Sequence, residues 1–373
     1  MKNWSDILTA TNDQIVAWAA AQSWAQDMAA CQQDSEWHAE GDVWTHTKMV
    51  CNELTKLAEW NDLSRDDQLV LLFTGLLHDS AKPATTCVDP ETGRVRSPKH
   101  AVKGEHLARR VLRELECHVP TRERIARMVR FHGRPVFLME RKLPEHEVVR
   151  MSWLASNKLL HLFALADMRG RTTECSTRTE DDLTMWRMTA EETGCYDTPY
   201  PFANDHARFL FYRQQEPNLH YVPHEDYRCS VTMMSGYPGS GKDTWLATQR
   251  PGLPVVALDD IRTELGAPST GNQGAVIQLA KERCQEHLRA NRDFAFSATN
   301  LMRQIRSKWI DLFADYQARI EIVYIEPPMA TVLQQNKARD RNVPSDVILS
   351  LANRTEPPTM KEVHSVLIPD LDA

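Results

Sequence analysis

The residues best equipped for chemistry fall into two groups, one in each half of the 373-residue chain. In the C-terminal half, Gly236-Tyr-Pro-Gly-Ser-Gly-Lys242 reads G-x-x-x-x-G-K between a β-prone run and a helical pattern. There Gly236, Gly239, Ser240 and Gly241 can turn backbone N–H groups inward around a phosphate, and the following helix start adds partial positive charge. Lys242 would reach the β- and γ-phosphates as a point charge. The next position, where a hydroxyl usually helps hold Mg2+, is Asp243, and Thr244 follows. Either could hold the ion, directly or through water, and the sequence leaves both open. Asp259-Asp260-Ile261-Arg262 ends the next apolar run. Ligands of open α/β sheets bind beyond the carboxyl ends of the strands, which sets these residues near a γ-phosphate. If a helix starts here, Asp259 and Arg262 share a face. The carboxylate can accept the proton of an attacking hydroxyl, and the arginine can hold an acceptor phosphate. The basic stretch around Asn336, Lys337, Arg339, Arg341 and Pro344 suits a lid that neutralises charge on the transferring phosphoryl group.

The N-terminal half carries His46, then His78-Asp79, His100, His132 and Asp167, each in or beside a helical segment. Imidazole with carboxylate suits Mn2+, Fe, Co2+, Ni2+ or Zn2+ better than Ca2+. Adjacent His and Asp near a helix end can face one ion while ligands on other helices complete a cage in a bundle core. A metal held there would bring the pKa of a water towards about 7. Lys82, with Arg169 as a further candidate, would stabilise the charge that grows on a phosphate under attack. His38, His106, His118 and His161 are read as structural.

The elements that must position these groups differ between the halves. Apolar residues recur at helical spacing in 64–78, 101–115, 124–131 and 157–167, which predicts a helical bundle. Beyond residue 226, β-prone runs at 229–234, 255–258, 294–297 and 320–325 alternate with helical stretches, which predicts a parallel sheet flanked by helices. The expected layout is a metal-binding bundle over 1–180, a connecting helix and linker over 181–226, and a nucleotide-binding α/β domain over 227–373. The fold class is thus α plus α/β.

Composition bounds the rest. The net charge of −7 excludes a polycationic coat, so any nucleic-acid contact must be a local basic groove. Eight cysteines are scattered with no C-x-x-C pair, which argues against a zinc ribbon or dithiol site. The start MKNWSDILTA has no cationic and then apolar leader, and no run approaches the ~20 apolar residues of a membrane span. A cytoplasmic location without membrane contact is expected.

Two resemblances follow from these motifs. The loop at 236–244, Asp-Asp-x-Arg at 259–262, Ser-Ala-Thr-Asn at 297–300 and Asn-Lys-x-Arg-x-Arg-x-Val-Pro at 336–344 resemble the kinase domain of phage-type polynucleotide 5′-kinases. That resemblance implies ATP with Mg2+, Asp259 as general base, Arg262 on the acceptor's terminal phosphate, and Arg339 or Arg341 on ATP. Leu76-Leu-His78-Asp79-Ser-Ala-Lys82-Pro83, with His100, His132 and Asp167, resembles the HD superfamily of metal-dependent phosphohydrolases. It implies His46, His78, Asp79 and Asp167 as ligands of a divalent transition metal, with Mn2+ the expected ion. His100 and His132 match the extra histidines of members with a second ion, which Asp79 would bridge. The order of the two modules resembles bacterial HD-Pnk end-healing proteins. This implies removal of a 2′,3′-cyclic, 2′- or 3′-phosphate and phosphorylation of a 5′-hydroxyl on RNA or DNA termini, for a separate ligase to join.

Overall fold

The computed structural model describes residues 1–173, 179–215, 217–268, 271–339 and 342–370. They form two compact units, Met1–Pro201 and Phe202–Ala373. Among the described residues no helix is long and apolar enough to cross a membrane.

The first unit is a helical bundle. Its helices are α1 (Trp4–Thr9), α2 (Asn12–Ala20), α3 (Ser23–Ala29), α4 (Val43–Lys56), α5 (Arg65–Leu77), α6 (His100–Glu114), α7 (Val119–Phe131), α8 (Pro144–Ser152), α9 (Asn157–Arg169) and α10 (Glu180–Glu192). Side-chain caps set several starts. Asp42 accepts the Thr45 N–H ahead of α4, Ser64 that of Asp67 ahead of α5, and Ser156 that of Leu159 ahead of α9. The central α5 is buried from Leu69 to Leu77 and packs on α4, α7 and α9. A helix apolar on every side is a core helix, which explains its weak amphipathic signal. A short antiparallel hairpin, β1 (Cys87–Val88) with β2 (Val95–Arg96), departs from the all-helical expectation.

The second unit holds a five-stranded parallel sheet in the order β4-β5-β3-β6-β7. The strands are β3 (Cys229–Gly236), β4 (Val255–Ala257), β5 (Phe294–Ser297), β6 (Ala318–Ile325) and β7 (Ser365–Leu367). Helices α11 (Asp205–Arg213), α12 (Lys242–Gln249), α13 (Leu258–Glu264), α14 (Gly274–Arg289), α15 (Arg303–Asp315), α16 (Met329–Lys337) and α17 (Ser345–Arg354) complete it. On one sheet face, Val231, Met233, Phe294, Phe296, Ile320 and Ile322 pack with Trp309 and Phe313 of α15. On the other, Met234, Ala295, Val323 and Ile325 meet Leu246 of α12. Burial on both faces is why these strands read as apolar runs.

The stretch 181–226, expected as a connector, divides between the units. Trp186 of α10 is buried and donates its Nε1–H to Asn157 O at 3.2 Å in the first unit. Phe209 of α11 lies in the core of the second.

Candidate functional sites

In the first unit the ligand candidates sit at helix ends. His46 is in the first turn of α4, His78 caps the C-terminus of α5, and His100 opens α6. His132 caps α7, and Asp167 is in the last turn of α9. Helix and turn ends leave carbonyls without partners, and the imidazoles use them. Through Nδ1–H, His78 donates to Gly75 O, His100 to Ser97 O and His132 to Val129 O, each at 2.8 Å and each three residues back. His46 Nδ1–H is shared between Gly170 O and Glu40 Oε1, both at 3.1 Å. Gly170 permits this approach, since a Cβ there would stand 2.9 Å from the Val50 nitrogen.

With Nδ1 committed, all four rings present Nε2 to one another, as ligating histidines do. His46 Nε2 lies 3.0 Å and His78 Nε2 3.8 Å from Asp167 Oδ1. Asp79 Oδ2 is 3.2 Å from His78 Nε2, and its Oδ1 is 3.5 Å from His100 Nε2. His100 and His132 bring their Nε2 atoms to 3.4 Å. The ligands thus form two groups, His46–His78–Asp167 and Asp79–His100–His132, and Asp79 faces both.

Two features fit a cation. The buried His78 Nε2 has no hydrogen-bond partner. The facing Nε2 atoms of His100 and His132 are both lone pairs when the rings are neutral, an unfavourable contact unless something positive lies between. Two nitrogens each about 2.1 Å from one ion stand about 3.0–3.4 Å apart for octahedral to tetrahedral angles. Charge agrees. Burial pushes the Asp79 and Asp167 carboxyls up, but the surrounding cations outweigh it and hold both well below the usual carboxylate range. Burial, then His78 and His100, press His132 down to about 4. Phe163 walls the site, its ring centroid 5.3 Å from that of His78 and 6.1 Å from that of His132.

In the second unit β3 runs into the glycine loop at the centre of the sheet. Gly239 has φ +79, and a Cβ there would lie 2.9 Å from the Asn336 nitrogen, so only glycine lets α16 approach the loop. Lys242 Nζ donates to Gly236 O at 3.0 Å and Tyr237 O at 2.7 Å. Burial, with Arg339 adding to it, draws its pKa down to about 8 against the pull of Asp243 and Asp259. Asp259, in the first turn of α13, accepts from Arg262 and lies 3.6 Å from Arg339. Asn336 ties Val343 to the last turn of α16. It donates Nδ2–H to Val343 O at 2.7 Å and accepts the Val343 N–H at 3.0 Å. Arg341 lies outside the described residues.

Residues 43–157 match the HD domain family and residues 231–358 an AAA domain family. The chain joins an HD domain to a P-loop kinase-like domain. It is 34% identical over 118 residues to the CC-adding tRNA nucleotidyltransferase of Thermus thermophilus, covering 32% of this chain. It spans about a quarter (24%) of that relative's length. More remote likenesses are a candidate kinase of Chloroflexus aurantiacus (14% identity, 39% of this chain, 86% of the other, TM-score 0.31) and a gluconokinase of Sinorhizobium meliloti (18%, 38%, 82%, TM-score 0.28).

Two features of the HD domain lie outside the sequence reading, the arginine that meets Asp167 and the glutamate that meets His46. Arg169 turns outward to pair with Glu180 at 2.8 Å; Arg171 is the arginine that reaches Asp167 Oδ2, at 2.7 Å. Two positions on from Asp167 within α9, Arg169 points away from it, whereas Arg171 lies past the end of the helix, where the chain turns back. His38, read as structural, donates its Nδ1–H to Glu40 Oε1 at 2.7 Å. Glu40 in turn orients His46 and accepts the Thr172 N–H at 2.9 Å. Neither Glu40 nor Arg171 carries a motif, though both flank ligands. Lys82 stands where expected, 2.7 Å from Asp79 Oδ2, and donates to Gln33 Oε1 at 2.6 Å. The P-loop domain gathers Lys242, Asp243, Asp259, Arg262 and Arg339 near one edge of the loop.

Proposed function

We propose that this chain repairs nucleic-acid termini. The HD domain hydrolyses a 2′,3′-cyclic, 2′- or 3′-phosphate, and the P-loop domain phosphorylates a 5′-hydroxyl from ATP. The observation that carries the reading is the gathering of four imidazole Nε2 atoms and two carboxylates into two adjoining groups, all buried but His100. His46, His78, Asp79 and Asp167 would hold one divalent ion. His100 and His132, with Asp79 between, would hold a second. Such an ion supplies Lewis acidity that makes water nucleophilic near neutral pH. Lys82 and Arg171 set two cations against the ligand carboxylates, where they can offset charge on a phosphate under attack. The tRNA-directed name of the Thermus thermophilus relative supports an RNA end as substrate.

In the kinase domain Asp259 takes the proton of the attacking hydroxyl and Arg262 orients its carboxylate while binding the acceptor phosphate. Lys242 and Arg339 neutralise the transferring phosphoryl group. Opposite chemistries on opposite ends of a strand avoid a futile cycle, which supports joining the two domains in one chain. The test is end-group analysis of an RNA bearing a 5′-hydroxyl and a 2′,3′-cyclic phosphate, incubated with the protein, Mn2+, Mg2+ and labelled ATP. The expected product carries a labelled 5′-phosphate and hydroxyls at its 3′ end. Labelling of nucleosides with none of RNA or DNA ends would overturn the proposal.

A further inference from the structure

P-loop enzymes commonly hold the Mg2+ of the bound nucleotide with the hydroxyl that follows the loop lysine and a carboxylate from outside the loop. This chain has the two groups the other way round. Asp243 follows Lys242, and the strand beside the loop strand, β5, ends in Ser297-Ala298-Thr299-Asn300 with no acidic residue. The pair is nonetheless joined, since the buried Ser297 donates its Oγ–H to Asp243 Oδ1 at 3.2 Å.

The other side chains after β5, those of Thr299 and Asn300, are uncharged, and Asn300 Oδ1 is buried without a hydrogen-bond partner. Thr299 O accepts the Gly236 N–H at 2.9 Å, and Asn300 Nδ2 donates to Met234 O at 2.8 Å. Asp259 and Asp260 follow β4, one strand further from the loop, and Asp259 is taken by its arginines. Glu326, after β6, accepts the Tyr324 hydroxyl. The loop also carries the sign of a missing ligand. Ser240 Oγ is buried without a hydrogen-bond partner and lies 2.6 Å from where a Gly236 Cβ would stand, inside the curl.

Given that the C-terminal domain uses ATP, as proposed above, we infer that Asp243 is the protein's carboxylate ligand for the nucleotide's Mg2+, steered by Ser297. Carboxylate oxygen is a hard donor that suits Mg2+. The exchange has a consequence that a hydroxyl at this position lacks. A fixed negative charge beside the loop opposes the triphosphate until Mg2+ lies between them, so nucleotide binding becomes strongly coupled to the metal.

The test is binding of mant-ATP, by fluorescence, with MgCl2 and with EDTA, to the wild-type chain and to Asp243→Ala, with circular dichroism as the check on folding. In Asp243→Ala the ratio of the two dissociation constants falls about tenfold or more. It does so from both sides, because Mg2+-ATP binds more weakly and metal-free ATP more tightly. A purely structural role at the start of α12 would weaken both alike, and that result overturns the assignment. So does a ratio untouched by Asp243→Ala and collapsed by Thr244→Ala. If the wild-type chain binds no mant-ATP with Mg2+ present, the kinase reading itself fails and takes this assignment with it.

Discussion

Replacing His132 by leucine separates a ligand from a packing residue, because its cost changes with metal. Without metal, His132 is buried with its Nε2 3.4 Å from that of His100. Neither neutral ring has a hydrogen for the other, since both Nδ1–H groups are spent on carbonyls at 2.8 Å. Leucine removes this unmatched contact and packs towards Phe163. The Val129 carbonyl loses one hydrogen bond, worth about 1 kcal/mol. The metal-free stability therefore changes by no more than about 1 kcal/mol in either direction. With metal, an ion present at about 100 times its dissociation constant contributes about 2.7 kcal/mol, and the variant forfeits that share. For a unit of this size each kcal/mol moves the unfolding midpoint by about 2–4 °C. The rise in midpoint on adding Mn2+ should thus be about 5–11 °C smaller in the variant. Tryptophan fluorescence reports the right domain, because eight of the ten tryptophans precede residue 202. A variant that loses several kcal/mol without metal, yet keeps the full Mn2+ rise, would refute the ligand assignment.

Further expectations concern both domains. Asp79→Ala should abolish phosphate hydrolysis and spare 5′-phosphorylation, and Lys242→Ala should do the reverse; joint loss in folded protein would contradict separate sites. Glu40→Gln should weaken metal binding by about 10–100-fold, read by metal titration, because Glu40 orients His46; unchanged affinity would reduce Glu40 to a loop tie. His364 sets a pH limit on the second domain. It accepts the Ile320 N–H on Nδ1 at 3.0 Å, so its proton sits on Nε2, 3.1 Å from His206 Nδ1. Burial first, then His206, Arg319 and Arg208, outweigh Asp205 and lower its pKa to about 3. The unfolded chain takes up a proton near 6.5 that the folded ring refuses. Stability is therefore full above that pH and falls, by up to about 1.4 kcal/mol per pH unit, as pH drops towards 3. Urea unfolding at pH 7 and pH 5 should show the loss, and His364→Gln should flatten it.

Much of this was legible from residue types because the chemistry is clustered in sequence. A glycine loop between a strand and a helix has few other uses, and four of the five strands of the sheet stand out as apolar runs. The three-residue β7, Ser365-Val366-Leu367, did not stand out, since it opens on a polar residue and offers only two apolar ones. It pairs with β6 through the backbone, and the Nδ1 of His364 adds a bond by accepting the Ile320 N–H. The candidate metal cluster was legible as an ordered set of histidines and aspartates. Its supports were not, because Glu40 reaches His46 across a loop and Arg171 reaches Asp167 past the end of α9. Such contacts depend on where a chain turns after a helix. The roles of α10 and α11 were hidden for the same reason: Trp186 and Phe209 look alike in sequence, and only packing assigns each to its core.

Anomalous diffraction from crystals soaked in Mn2+ tests the central claim most directly. We expect one peak at bonding distance, about 2.0–2.3 Å, from His46 Nε2, His78 Nε2 and an Asp167 oxygen, and a second among Asp79, His100 and His132. Ordered side chains around an empty centre, or peaks only elsewhere on the chain, would contradict it.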